Sequence, residues 1–260
     1  MSEFTIDIDV DADHVATVAF ARGDNNYFDE PLIAGLAGAF EQLAEDGGAR
    51  AIVLTGRGKH FCAGADFTGG AEDGHDSVGQ PSGPHLYDSA VRIFRQPLPV
   101  VAAVQGAAIG GGLGLAMACD LRVASPDARF SAPFARLGLH HGFGLSVTLP
   151  LVLGHQRALE LLYTGRRIKG EEAAAIGLVD RLTGDGGALD GAKALATEIA
   201  TSAPIAVRSI RATLRGHLAD AVRSATDHEK AEQAVHRATA DMIEGVRADL
   251  ERRAPRFEGR

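Results

Sequence analysis

Two apolar, strand-like runs each break into a glycine-bearing bend, and this repeat restricts the chain to folds in which a strand passes directly into a turn or a helix start. The run 51–55 leads through Gly56 to Phe61-Cys62-Ala63-Gly64-Ala65-Asp66-Phe67. Val100–Val104 leads through Gly106 to Ile109-Gly110-Gly111-Gly112-Leu113. Glycine and alanine at such bends leave main-chain N–H groups uncovered, and two bends aimed at one point would hold the negative oxygen of a polarised carbonyl. Residues 113–118 are mostly helix formers, so a helix is expected to begin at the glycine triplet. Its first N–H groups lack intrahelical partners and carry partial positive charge, which favours an anionic oxygen near Gly111. Taken singly, either bend is equally well explained by helix–strand packing.

Alternation of Phe4, Ile6, Ile8 and Val10 with polar residues, followed by the run 15–20, predicts a β-hairpin. Leu32, Ile33, Leu36, Phe40 and Leu43 fall at helical spacing behind Pro31, and Gly47-Gly48 closes that segment. Further strands are expected at 51–55, Val100–Val104 and Leu121–Ala124, with helices between them, which is an α/β pattern with crossover connections. The polar stretch 69–84, rich in Gly, Ser and Pro, has the length of a functional loop and is expected to form a lid. Beyond His155 the chain reads as helical at 158–163, 171–176, 189–201 and 204–218, with a last amphipathic helix marked by Met242, Val246 and Leu250. A shift in composition near residue 200 divides a core, 1–200, from a helical C-terminal region, 201–260.

The chain has 260 residues, enough for a sizeable core, and 34 acidic against 26 basic residues give a net charge of −8. That balance argues against a nucleic-acid surface. Cys62 and Cys119 are the only cysteines, and the acidic N-terminus lacks a signal-peptide pattern, so a reduced, cytoplasmic setting is expected. No apolar run reaches the roughly 18 residues of a membrane span, so no membrane partner is expected.

In order and separation the two bends resemble those of the crotonase family, the enoyl-CoA hydratase/isomerase superfamily. The resemblance covers nearly the whole chain. It rests on Leu54-Thr55-Gly56-Arg57-Gly58-Lys59-His60-Phe61-Cys62-Ala63-Gly64-Ala65-Asp66 and on Pro99-Val100-Val101-Ala102-Ala103-Val104-Gln105-Gly106 running into the triplet. Cys119-Asp120-Leu121-Arg122, Leu137-Gly138-Leu139, Thr164-Gly165-Arg166-Arg167-Ile168 and Glu244-Gly245-Val246-Arg247-Ala248 add to it. The resemblance implies an α/β spiral of repeated ββα units, a C-terminal helical trimerisation region, and an acyl-CoA thioester as substrate. A homotrimer or a dimer of trimers is implied. Coenzyme A enters as part of the substrate, with no metal and no separate cofactor. The N–H groups of Ala65 and Gly111 are expected to bind the thioester oxygen, and the main chain of Ala63, Gly64, Asp66 and Gly110 to contact the rest of the substrate.

The pattern breaks where protons would be moved. Hydratases of this family place one glutamate two residues after the triplet and another after the proline of Phe-x-x-Pro-Glu; here Gly114 and Phe134 stand there. Neither can act as acid or base. Where many family isomerases carry a carboxylate after Leu-Gly-Leu, this chain has His140-His141-Gly142-Phe143-Gly144. Histidine titrates near neutrality, so one of His140 and His141 is expected to serve as acid or base. Enolate-forming isomerisation, decarboxylation and thioester hydrolysis remain open, as does a catalytically silent acyl-CoA-binding protein. Lower-ranked candidates are Arg22, Asn25 and Asn26 toward CoA, and Tyr87, Asp88 and Arg92 after the expected lid.

Overall fold

The computed structural model describes residues 3–67 and 85–260; the expected lid at 69–84 lies outside them. In chain order the elements are β1 (Thr5–Val10), β2 (Val15–Ala21), α1 (Glu30–Asp46), β3 (Ala51–Gly56), α2 (Leu86–Phe94), β4 (Val100–Val104), β5 (Ala107–Ile109), α3 (Gly111–Ala118), β6 (Leu121–Ala124) and β7 (Arg129–Ser131). A 3-10 turn (Pro133–Leu137) precedes α4 (Leu145–Leu153), α5 (His155–Thr164), β8 (Ile168–Lys169), α6 (Gly170–Ala175), β9 (Arg181–Leu182), α7 (Ala188–Ala200), α8 (Pro204–Arg215), α9 (Leu218–His236) and α10 (Ala240–Leu250).

The main sheet has the order β1-β2-β3-β4-β6-β9. The expected hairpin forms β1 and β2, and every later pairing in this sheet is parallel. Parallel strands covered on both faces read as unbroken apolar runs, and all of β3 and β4 is buried. Alternate residues serve the two faces. Ile52, Leu54, Ala102 and Val104 join the large core, while Ala51, Val53, Val101 and Ala103 pack under Ala192, Leu195 and Ala196 of α7.

A second sheet, β5-β7-β8, stands apart from the first. Its strands are two or three residues long, too short to carry a periodic signal, so residue spacing alone does not announce it. It positions the glycine triplet: β5 pairs with β7, and Gly110 N donates to Ser131 O at 2.8 Å.

The helices after His155 differ from expectation at two places. The predicted helix 204–218 ends at Arg215, and Gly216 and His217 separate it from α9, the longest helix in the structure among the described residues. That helix was not apparent in the sequence because half of its buried stripe is polar. Leu218, Ala219 and Val222 are followed on the same stripe by Thr226, Glu229 and Gln233. α10 folds back so that Met242 and Val246 pack on Leu139, with Phe67 and Phe134 alongside.

Candidate active site

The two bends are held together by main-chain pairing. Cys62 forms a parallel bridge with Ala108: Cys62 N donates to Ala107 O at 2.8 Å, and Ile109 N donates to Cys62 O at 3.0 Å. The first bend therefore runs beside β5 immediately before the triplet. Two glycines are required by this approach. Gly64 has φ +95°, and a Cβ there would lie 2.8 Å from Ile109 O; at Gly112 a Cβ would lie 2.2 Å from Cys62 O. The first bend is fixed from its other side by Ala63 N donating to Asn25 O and Phe28 N donating to Gly64 O, both at 3.0 Å.

Beside these bends lies a cavity of about 320 Å³. The expected main-chain residues Ala63, Gly64, Ala65, Gly110 and Gly111 all line it, whereas the half-buried Asp66 does not. Aromatic rings form the facing wall. Phe28 sits so close to Gly111 that a Cβ there would meet the ring at 2.1 Å. Phe143 stands 5.8 Å from Phe28, and Tyr87 6.4 Å from Phe143, between ring centroids and edge to face.

This wall explains what became of the two glutamate positions. A Cβ at Gly114 would lie 2.5 Å from Phe143 Cβ and 2.7 Å from its Cγ, so Phe143 occupies the space a side chain at 114 would need. Phe134, at the other position, lines the cavity directly. Phe143 and Gly144 adopt left-handed backbone, with φ +62° and +74°. For a phenylalanine this is an unusual conformation that the surroundings must impose.

Glu229 holds the residues that follow Phe143. Its carboxylate is fully buried and accepts from Gly144 N at 2.9 Å, Ser146 N at 3.1 Å and Ser146 Oγ at 2.6 Å. It thereby caps the start of α4 from α9, where the helix dipole favours negative charge.

His140 and His141 belong to the layer behind the wall. Neither is among the described residues that line the cavity, where the sequence leads one of them to be expected. His140 N donates to His236 Nδ1 at 2.8 Å, His140 Nδ1 lies 2.7 Å from His141 O, and His141 Nε2 pairs with Ser146 Oγ at 2.8 Å. The physical reason is the Gly142–Gly144 turn. It swings Phe143 inward and leaves the preceding rings stacked on each other at 4.1 Å between centroids. Burial, then the neighbouring His140 and His228, pushes the His141 pKa down to about 4.

Other candidates resolve similarly. Arg22 is buried in an ion pair with Asp29 at 2.7 Å, and the Asn26 amide donates to Arg57 O and His60 O, so both brace the fold. Asp88 pairs with Arg223 and Arg92 with Glu41. Tyr87, by contrast, lines the cavity. Burial pushes the Cys62 thiol up to about 12, which keeps it protonated and inert.

Residue reasoning missed Gln233 and Glu229. Gln233 lines the cavity, accepts from Tyr87 Oη at 3.1 Å and donates to His140 O at 3.0 Å. The available signal was the spacing 222, 226, 229, 233, a helical stripe written partly in polar residues.

A spiral α/β core with two main-chain bends converging on an aromatic cavity defines a crotonase-type fold and site. The family model for enoyl-CoA hydratase/isomerase matches residues 11–260, and the chain belongs to that family. A Bacillus subtilis protein named "Probable enoyl-CoA hydratase" is 34% identical, over 94% of this chain and 95% of its own length. The 1,2-epoxyphenylacetyl-CoA isomerase of Escherichia coli is 31% identical, over 95% of each chain. An enoyl-CoA hydratase/isomerase crystal structure from Pseudoalteromonas atlantica superposes with a TM-score of 0.86 at 30% identity, covering 97% of this chain and 99% of that one. Among the described residues no helix is long and apolar enough to cross a membrane.

Proposed function

We propose that the protein is an acyl-CoA-processing enzyme that holds the thioester oxygen between the N–H groups of Ala65 and Gly111 and stabilises the enolate formed from it. The observation that carries this reading is the convergence of both bends, through the Cys62–Ala108 bridge, on one cavity. Negative charge building on the oxygen would meet main-chain donors and the start of α3. Donors of that kind each lower the barrier by about 3 to 4 kcal/mol. Carbonyl polarisation stabilises an enolate; loss of CO2 from a malonyl-type ester leaves the bonding pair in that enolate, which then takes a proton from water. This step uses neither glutamate of the water-adding pair, whereas isomerisation needs a further group to carry the proton. Coenzyme A is carried by the substrate, and the enzyme acts in the cytoplasm.

The second reading is a binding protein that retains the oxyanion site without turnover. It is favoured by Gly114 and Phe134, which leave Asp249, exposed on α10, as the sole carboxylate side chain among the described residues lining the cavity. The two readings separate in one experiment: pure protein is incubated with enoyl-, malonyl- and β-oxoacyl-CoA esters while binding and product mass are followed. Product from at least one ester supports the enzyme. Tight binding without product across the panel supports the binding protein.

Assembly into a trimer or a dimer of trimers forms part of the same reading. α8 has no buried residue, and Ile205, Ile210 and Leu214 on it are 85%, 59% and 69% exposed, an apolar face suited to another copy of the chain.

A further inference from the structure

We infer that Tyr87 and Gln233 form a specificity subsite for an oxygen carried on the acyl group, so that the site takes hydroxyacyl or oxoacyl thioesters in preference to plain alkyl ones. The inference rests on the acyl-CoA reading above and adds to it a substrate class.

The wall of the cavity is apolar along Phe28, Phe134, Leu137, Leu139 and Phe143. Within it stands one buried polar side-chain pair drawn from distant parts of the chain: Tyr87 on α2 is 5% exposed and Gln233 on α9 is 4% exposed. Placing a hydroxyl and an amide beside such a wall costs free energy unless both are hydrogen-bonded. They bond to each other at 3.1 Å, and the Gln233 amide also donates to His140 O at 3.0 Å, which fixes its orientation.

The backbone makes room for the pair at the cavity surface. At Gly142, which also lines the cavity, a Cβ would lie 1.8 Å from Tyr87 Oη and 2.7 Å from Gln233 Nε2. A side chain there would therefore displace both groups. The subsite lies beyond Phe143 from the oxyanion bends, since the rings run from Phe28 against Gly111 through Phe143 to Tyr87. It would meet an acyl oxygen several bonds from the thioester. The phenol O–H is given to Gln233 Oε1 and one amide N–H to His140 O, and the second N–H of the Gln233 amide can donate to a carbonyl or a hydroxyl oxygen. A substrate oxygen that accepts from the second Gln233 N–H gains a hydrogen bond that the unsubstituted analogue cannot make, which favours the oxygenated ester.

The test uses the full-length protein and saturated CoA esters: 4-oxopentanoyl-, 5-oxohexanoyl- and 6-oxoheptanoyl-CoA with the matching hydroxy compounds, each against its unsubstituted parent by calorimetry. At least one oxygenated ester should bind about five- to tenfold more tightly than its parent. Tyr87→Phe, which keeps the ring, should bring the ratio of oxygenated-ester to parent affinity to about one. Equal binding of all oxygenated esters and parents by the wild-type protein overturns the subsite while leaving the acyl-CoA reading intact. A preference that survives in Tyr87→Phe likewise overturns it. Failure of every ester to bind overturns both. The wild-type comparison does not depend on how the variant folds.

Discussion

The two walls of the cavity are built by different means. On the carbonyl side, main chain from β3, β5 and α3 is locked by strand pairing and by glycines that admit no side chain. On the acyl side, side chains from α2, α9 and the Gly142–Gly144 turn do the shaping, and a buried carboxylate holds the turn in place. Fixed backbone donors suit a task common to every thioester reaction, whereas replaceable side chains suit the choice of acyl group and of proton transfer. On the proposed reading, the part of the site that marks the family is separable from the part that chooses the reaction.

The largest effect should come from breaking the carbonyl side. Ala65→Pro deletes one main-chain donor and is expected to lower turnover of any processed ester about 100- to 1000-fold, measured by product formation under saturating substrate. A smaller effect would place the thioester oxygen elsewhere.

Next comes the acyl wall. Gly114→Glu alone collides with Phe143 and should cost about 1 to 3 kcal/mol in urea unfolding. Adding Phe143→Gly should recover part of that loss, so that the two substitutions are non-additive by about 1 kcal/mol or more. Additivity would mean that Phe143 is not what fills the glutamate position.

Glu229→Ala removes the cap from α4 and should destabilise the protein by about 2 kcal/mol. It should also shift acyl-chain preference through Phe143, with Glu229→Gln closer to wild type on both counts. Unchanged chain-length preference in Glu229→Ala would disconnect the carboxylate from the wall.

A smaller effect concerns pH. The unfolded His141 takes up a proton near pH 6.5, but the folded side chain does so only near 4 because burial disfavours its charge. Stability is therefore complete above about 6.5 and declines as pH falls toward 4. The contribution is about 1 to 2 kcal/mol, reduced from the full linkage by partial solvent access. In His141→Gln this part of the decline should vanish from unfolding curves at pH 7 and pH 4.5. The same variant, and His140→Ala, should change turnover less than about threefold, because both rings lie outside the cavity lining.

How much could be read beforehand follows the same division. The parallel strands were legible because burial on both faces leaves continuous apolar runs such as Val100–Val104. The bends were legible because close backbone approach admits little but glycine, as at Gly64 and Gly112. The acyl wall was not. Glu229 and Gln233 sit at core positions of α9 where periodicity looks for apolar residues, and their worth depends on Gly144 and Tyr87, 85 and 146 residues away. His140 and His141 drew attention by residue type and position. Yet Phe143 lines the cavity in their place, on a left-handed turn whose Gly144 N–H is met by a carboxylate 85 residues away, a partner that local sequence does not reveal.

The central claim, that main-chain donors polarise a bound thioester without help from the side chains first suspected, is tested most directly by infrared spectroscopy of hexanoyl-CoA carrying 13C at the thioester carbon. On binding, the carbonyl stretch should move to lower wavenumber, move equally in His140→Ala and His141→Gln, and return toward its solution position in Ala65→Pro. Ester that binds with an unshifted carbonyl band, or a shift that persists in Ala65→Pro, would contradict the account.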